Sequence, residues 1–286
     1  MNKTMRKTIL SLLTALFGCT AGIVAQTDDN ALRINFQGVG NPIETEHLME
    51  GVHITFSDNG EQMHLTVNGS TANYNLDNVS GTTHFSGTPR VQLHANEDPD
   101  HEGNYYTTFY SGLEAYTLPD GVKAYTALVE KDDAEETVVR LTAIGGEVLP
   151  QGTAVLLHTT QGADFDLTLA DGSGLNAPGD NVFSGVDASA AQDAANRYYM
   201  LSYGQKLLGF YLMKQDMLLS ANKAFLAMSA AAQARALRMV FADGEVDGVE
   251  NVGANENVNI YNLNGMRLSR TQKGINIVNG NKVIIR

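Results

Sequence analysis

The 286-residue sequence has no tryptophan, one cysteine, six prolines and no carboxylate after Glu256. A lone cysteine, Cys19, cannot close an internal disulfide, and it supplies neither a thiolate pair nor a Cys-rich zinc site. Stability must therefore come from ordinary burial. Long apolar runs are also missing: the longest, from Thr8 to Phe17, falls short of the roughly 20 residues that a spanning helix needs. No transmembrane helix is expected. Basic residues are outnumbered, 19 against 32 acidic, for a net charge of -13. That balance opposes binding to nucleic acid or to an anionic membrane.

Catalytic signatures are missing as well. There is no Gly-x-Ser-x-Gly elbow, no phosphate-binding Gly-Lys-Ser/Thr loop, no His-Glu-x-x-His and no dinucleotide fingerprint. Asp164 and Asp166 in "ADFDLTL" lie two apart on a predicted strand, so they share one face. Solvation of that face accounts for them, because a glycosidase normally draws its acid and nucleophile from separate strands. Neither an enzymatic role nor a cofactor is predicted.

What is present begins with "MNKTMRKTILSLLTALFGCTAGIVAQT", in which Lys3, Arg6 and Lys7 precede an apolar run and then small residues. This is the plan of a secretory signal peptide. Ala25 before Gln26 offers one cleavage site, defining residues 1–25 as the leader, and the shorter Leu16-Phe17-Gly18-Cys19 offers a lipoprotein box. Under the first reading the mature chain has no cysteine, and loss of three basic residues shifts its charge from -13 to -16. Under the second, Cys19 is a lipidated N-terminus and the protein an outer-membrane lipoprotein. Either way the protein is expected to be exported, secreted or held at the cell surface.

The remaining residues, about 260, suffice for more than one buried core. With 28 Gly, 11 Tyr and many Val and Thr, the composition favours strands and turns. Residues 26–95 alternate apolar and polar in short runs such as "ALRINF", "GVHITFS" and "QMHLTVNG". In the last, Met63, Leu65 and Val67 share one face, and Asn68-Gly69 makes a hairpin turn. This predicts a small N-terminal antiparallel sheet with His53, His64 and His84 on its solvent face. Six of the seven histidines lie between His47 and His101, but no metal-binding spacing links them. No metal site is predicted. The acidic run at residues 96–103, around Pro99, lacks the pattern of a calcium loop and reads as a solvated linker.

Residues 104–242 form a central β domain, a sandwich or barrel, with strands at "TVVRLTA", "RYYMLSY", "KLLGFYLM" and "KAFLAM". Alanine-rich "DASAAQDAAN" has the propensity for a short helical turn, whereas "ALRMVF" alternates as a final strand. Tyr106 and Tyr110 share one strand face, and Tyr199 and Tyr203 pair in the same way. An exposed face of this kind is a platform for a glycan or a protein ligand. An acidic, glycine-containing linker at residues 243–256 leads into a C-terminal meander, residues 257–286, with hairpin turns at Asn264-Gly265 and Asn279-Gly280.

"TTFYSGLEAYTLPDGVKAYTAL", "VLPQGTAVLL" and "ANKAFLAM" resemble, in that order, the recurring β module of secreted Bacteroidetes proteins. The final segment is similar to the C-terminal sorting domain of the same proteins. Tyr261, Leu263, Gly265 and Arg267 match its early positions, and Gly274, Ile277, Val278, Gly280 and Lys282 its later ones. Asn276 stands where an aromatic is usual, and Arg286 where lysine is common. The resemblance implies passage through the outer membrane by the type IX secretion machinery, often with removal of the tail. A basic handle on an acidic cargo fits that role. The residues together thus indicate a structural or adhesive surface protein, or alternatively a carbohydrate- or protein-binding module that uses exposed tyrosines.

Overall fold

A computed structural model describes residues 29–132, 135–204, 207–229 and 234–242, together with four C-terminal strands. The fold is mainly β. The chain separates into two compact units, one ending at Gly248 and the other starting at Val249. Among the described residues the one helical element is a single 3-10 turn, Leu76–Asn78.

Six strands of the first unit form two antiparallel three-stranded sheets rather than one. The first sheet sets β1 (Ala31–Phe36) between β2 (Glu44–Leu48) and β6 (Val79–Phe85); the second sets β4 (Gln62–Val67) between β3 (Val52–Phe56) and β5 (Ser70–Asn75). Period-two alternation builds both. Leu32, Ile34, Met63, Leu65, Val67 and Tyr74 face inward and share one core. The β4–β5 turn is tight because Asn68 and Gly69 both take positive φ, 49° and 87°, the pairing that a type I′ hairpin requires.

The next strand, β7 (Arg90–His94), falls within the segment expected to be an N-terminal domain, yet it pairs with β15 (Asp164–Ala170). These two join β10 (Ala115–Thr117) and β13 (Val148–Leu149) in a four-stranded sheet ordered β13-β10-β15-β7.

The largest sheet has ten strands. In spatial order they are β16 (Phe183–Val186), β19 (Lys223–Ser229), β17 (Asn196–Gly204), β18 (Leu207–Leu212), β20 (Ala236–Phe241), β12 (Thr137–Ala143), β11 (Val122–Lys131), β14 (Val155–Thr159), β9 (Tyr105–Phe109) and β8 (Asn96–Glu97). All its pairs are antiparallel except β12 with β20. The sheet curls back on itself. Just past β9, the Tyr110 amide donates to the Asn222 carbonyl and Asn222 Nδ2 donates to the Tyr110 carbonyl, both at 3.2 Å. Lys223 Nζ also donates to Thr107 Oγ1 at 3.0 Å. A single interior results, filled by Tyr106, Tyr125, Leu156, Tyr199, Phe210 and Leu237 from strands spread around the sheet.

The outer face of β9, β11 and β14 is covered by the four-stranded sheet, where Phe109, Val155 and Leu157 meet Leu93, Tyr116 and Leu167. Covering on both faces explains why every residue of "VLLHT" is buried. The expected helical turn at "DASAAQDAAN" is absent. Ala190 instead bridges to Leu219, and Ala188 packs on the N-terminal core, so tertiary contacts override alanine's helix propensity.

The expected acidic linker is a built turn. Asp98 is buried, its Oδ1 accepts the Asp100 amide at 3.0 Å, and its Oδ2 meets His101 Nδ1 at 2.9 Å. Glu97 Oε1 likewise accepts the Gly103 amide at 3.0 Å. Glu97 and Asp98 thus spend their carboxylates on donors of the same turn, which relieves part of the repulsion expected of a solvated run.

In the second unit, β21 (Ile260–Asn262), β22 (Arg267–Leu268), β23 (Gly274–Val278) and β24 (Asn281–Ile285) make an antiparallel sheet ordered β22-β21-β23-β24.

Curling the large sheet requires a residue without a side chain on β16, because a Cβ at Gly185 would lie on the Tyr110 ring. We expect Gly185→Ala to cost about 1–3 kcal/mol by overpacking, measured by denaturant unfolding. Gly81→Ala, whose Cβ meets nothing within 4 Å, should stay within about 0.5 kcal/mol of the parent.

Candidate binding cleft and the buried cluster behind it

β2 carries three consecutive buried polar residues, Thr45, Glu46 and His47. Glu46 is held by Arg33, with Nη2 at 2.5 Å and Nε at 2.9 Å from Oε1, while its Oε2 accepts the Arg90 amide at 2.9 Å. His47 meets a carboxylate from the central region: its Nδ1 lies 2.9 Å from Glu114 Oε2, with side chains only 3% and 4% exposed. The Tyr116 hydroxyl donates to the same oxygen at 3.2 Å. Ser111 Oγ fixes the loop by accepting the Glu114 and Leu113 amides at 3.1 and 3.4 Å.

Asp187, in the segment after β16, closes the cluster from a third direction, its Oδ1 accepting the Gly112 amide at 2.7 Å. Gly112 is required here, since a Cβ would lie 2.5 Å from Asp187 Oδ2 and 2.7 Å from the Tyr110 hydroxyl. Burial pushes the Asp187 carboxyl above the usual carboxylate range; the Gly112 amide and His47 oppose that shift, and Glu114 adds to it. Burial likewise drives up the Tyr116 phenol, reinforced by Glu114, and the Tyr74 phenol, reinforced by Asp187 and then Glu114. Both stay neutral at any ordinary pH. His47 Nε2 and the Tyr74 hydroxyl are buried without a hydrogen-bond partner.

The cluster lies behind a cleft of about 790 Å3. Leu48, Glu50, Asn68 and Thr88 line it from the N-terminal side, and Leu113, Glu114, Gln151, Leu169, Asp171 and Ser173 from the other. The lining mixes carboxylates, amides and hydroxyls with leucines, and it includes neither a basic residue nor an aromatic one. Gln151 spans the seam, its Nε2 donating to Ser70 Oγ at 2.6 Å and to the Gly112 carbonyl at 2.7 Å. Hydrogen bonds from the Ser173 side chain and amide hold the exposed Asp171 carboxyl below its ordinary range.

The predicted tyrosine platform lies elsewhere, and most of it is interior. Tyr106 is 1% exposed and stacks on His158 with centroids 4.7 Å apart. Tyr199 is 0% exposed and donates its hydroxyl to the Ala234 carbonyl at 2.8 Å. Tyr110 is partly buried against the same core. Only Tyr203, 44% exposed, presents a surface ring, and its hydroxyl lies 3.4 Å from Asp100 Oδ2. Alternation correctly put Tyr106 with Tyr110 on one face, but closure of the sheet makes that face the inside.

The histidines divide. His53 is exposed, His64 bonds Asn73 Oδ1 at 2.6 Å, and His84 is only partly exposed, with its Nε2 buried and unpartnered. Among the described residues no group of three or more His, Cys, Asp or Glu is placed to hold a metal ion, and no helix is long and apolar enough to cross a membrane.

Of the expected sorting positions, Tyr261 pairs with Arg267 and Ile277, and Ile277 also pairs with Lys282. Gly274 pairs with Ile285 and Val278 with Asn281. Leu263, Gly265, Gly280 and the leader, including Cys19, lie outside the described residues. Sequence reasoning did not single out His47, Glu114 and Asp187. One signal was available: a carboxylate set between Leu113 and Ala115 in an otherwise apolar run. No protein family, curated protein or solved structure matches this chain.

Removing the Glu114 carboxylate strands two buried donors. Glu114→Ala should lower stability by about 2–4 kcal/mol in denaturant melts, whereas Tyr203→Ala should change it by less than about 0.5 kcal/mol.

Proposed function

We propose that this chain is an exported protein, secreted or displayed at the cell surface, with a structural or adhesive rather than catalytic role. Its C-terminal unit serves as a sorting tail for outer-membrane secretion machinery. The observation that carries this reading is the separation at Gly248 and Val249, beyond which the four described strands form a sheet of their own. A handle recognised apart from its cargo needs that independence. Charge supports it too, since Arg267, Arg270, Lys273, Lys282 and Arg286 follow the last carboxylate in an otherwise acidic chain. The acidic 243–256 stretch, rich in polar residues and glycine, suits a protease. The leader supplies inner-membrane export, with Cys19 lipidation as the alternative start. Intact-mass measurement on protein from the cell surface and medium tests the reading. It predicts a chain beginning at Gln26 and lacking the Tyr261–Arg286 segment; protein retaining Arg286 throughout would make the tail a structural sheet instead.

The cleft favours a second reading, a glycan-binding module. Asn68, Thr88, Gln151, Glu50 and Asp171 present groups suited to sugar hydroxyls, and Leu48 and Leu169 offer apolar surface to ring C–H groups. With no Lys or Arg in the lining, the ligand class is a neutral oligosaccharide rather than an anionic one. Thr88 is exposed, so Thr88→Arg should fill the cleft while leaving the fold intact. Glycan-array binding that falls at least about tenfold in this variant, with no change in Tyr203→Ala, supports the cleft. Binding unaffected by Thr88→Arg would place the ligand elsewhere, and absence of any neutral-glycan binding would end this reading.

A further inference from the structure

Three segments far apart in sequence converge on one point: buried His47 from β2, Gly112 and buried Glu114 from the loop before β10, and partly buried Asp187 from the stretch after β16. Together they put two carboxylates beside one imidazole. The groups facing Asp187 are His47 from β2, Tyr74 from β5, Tyr110 from the end of β9, and Glu114 and Tyr116 from the loop and β10. The three phenols carry no charge, because burial raises each of them. An ionised Asp187 therefore sets a second carboxylate beside the His47–Glu114 pair.

We propose that Asp187, set beside the His47–Glu114 pair, is a proton-binding latch, which takes up a proton as the pH falls and holds the N-terminal sheets to the central body most tightly when it has done so. The hydrogen-bond pattern leaves room for the proton. Glu114 Oε2 already accepts from two partners, whereas Asp187 shows one hydrogen bond, from the Gly112 amide to Oδ1. A proton on Asp187 removes one negative charge from the cluster and eases its repulsion with Glu114.

The direction follows from Asp187, whose burial raises its carboxyl. A carboxyl whose folded pKa exceeds its unfolded value stabilises the folded chain fully below the unfolded value, and that contribution is lost as pH rises through the folded one. The latch thus strengthens as the pH falls toward the ordinary carboxylate range, opposite to an exposed ion pair. Leu48 follows His47 on one cleft wall, and Leu113 and Ala115 flank Glu114 on the other, so the same proton steadies the cleft.

The test is the melting temperature of the full chain and of Asp187→Asn between about pH 5 and about pH 7. Asparagine keeps an oxygen for the Gly112 amide and mimics the protonated acid. Relative to wild type, the variant should gain roughly 2–4 °C on going from the acidic to the neutral end. A pH-independent difference would overturn the latch. If Asp187→Asn does not fold, 13C NMR of the wild-type Asp187 carboxyl decides: titration above the ordinary carboxylate range supports the latch, and titration within or below it rejects it. Neither measurement needs a ligand, so the result is independent of whether the cleft binds a glycan.

Discussion

A carboxylate removed from water costs several kcal/mol unless donors replace its hydration, and Glu114 is buried with one oxygen shared by the His47 imidazole and the Tyr116 hydroxyl. That contact governs how the first unit is put together. His47 comes from the N-terminal sheets, while Tyr116 belongs to the four-stranded sheet lying on the curled one. Moving the N-terminal sheets away would part the buried Glu114 carboxylate from the His47 imidazole and leave both without that partner. The Gln151 bridge to Ser70 and the packing of Leu113 into the N-terminal core act in the same direction. Three small sheets and one large one therefore behave as a single compact unit rather than as beads on a string.

The cleft is a consequence of that union. Its walls are the ends of elements that the seam brings together: the β2 end at Leu48, the Asn68 turn, the Leu113 loop and the Asp171 turn. The two N-terminal walls face the two central ones across the seam that the buried pair closes. Glycines let the backbones approach closely at the rim, where a Cβ on Gly172 would lie 2.6 Å from the Ala115 Cβ. Site and seam are thus one piece of architecture, which is why a charge buried at the seam bears on the cleft.

Local periodicity made most strands legible in the sequence, because Met63, Leu65 and Val67 can bury together only in an extended chain. It could not say which strands pair. Arg90–His94 lies beside the N-terminal strands in sequence, yet its partner is β15, with paired residues 70 to 78 positions apart. Nor does alternation distinguish the inside of a closed sheet from the outside, so Tyr106 and Tyr199 read as a platform and prove to be core. The seam was hidden for a similar reason, since a carboxylate and a histidine 67 residues apart have no sequence signature as a pair. Aspartate 98 shows the converse error: acidic density read as solvation is local capping chemistry.

Native-state hydrogen exchange, followed strand by strand, tests most directly whether the N-terminal sheets and the central body form one cooperative structure. Union through a buried charge cluster predicts that amides of Ala31–Phe36 and Gln62–Val67 open with the same free energy as those of Val122–Lys131 and Thr137–Ala143. Exchange of the N-terminal strands at a free energy several kcal/mol lower, with the central strands still protected, would contradict it: the two parts would then be separate domains, and the buried pair between them no more than a contact.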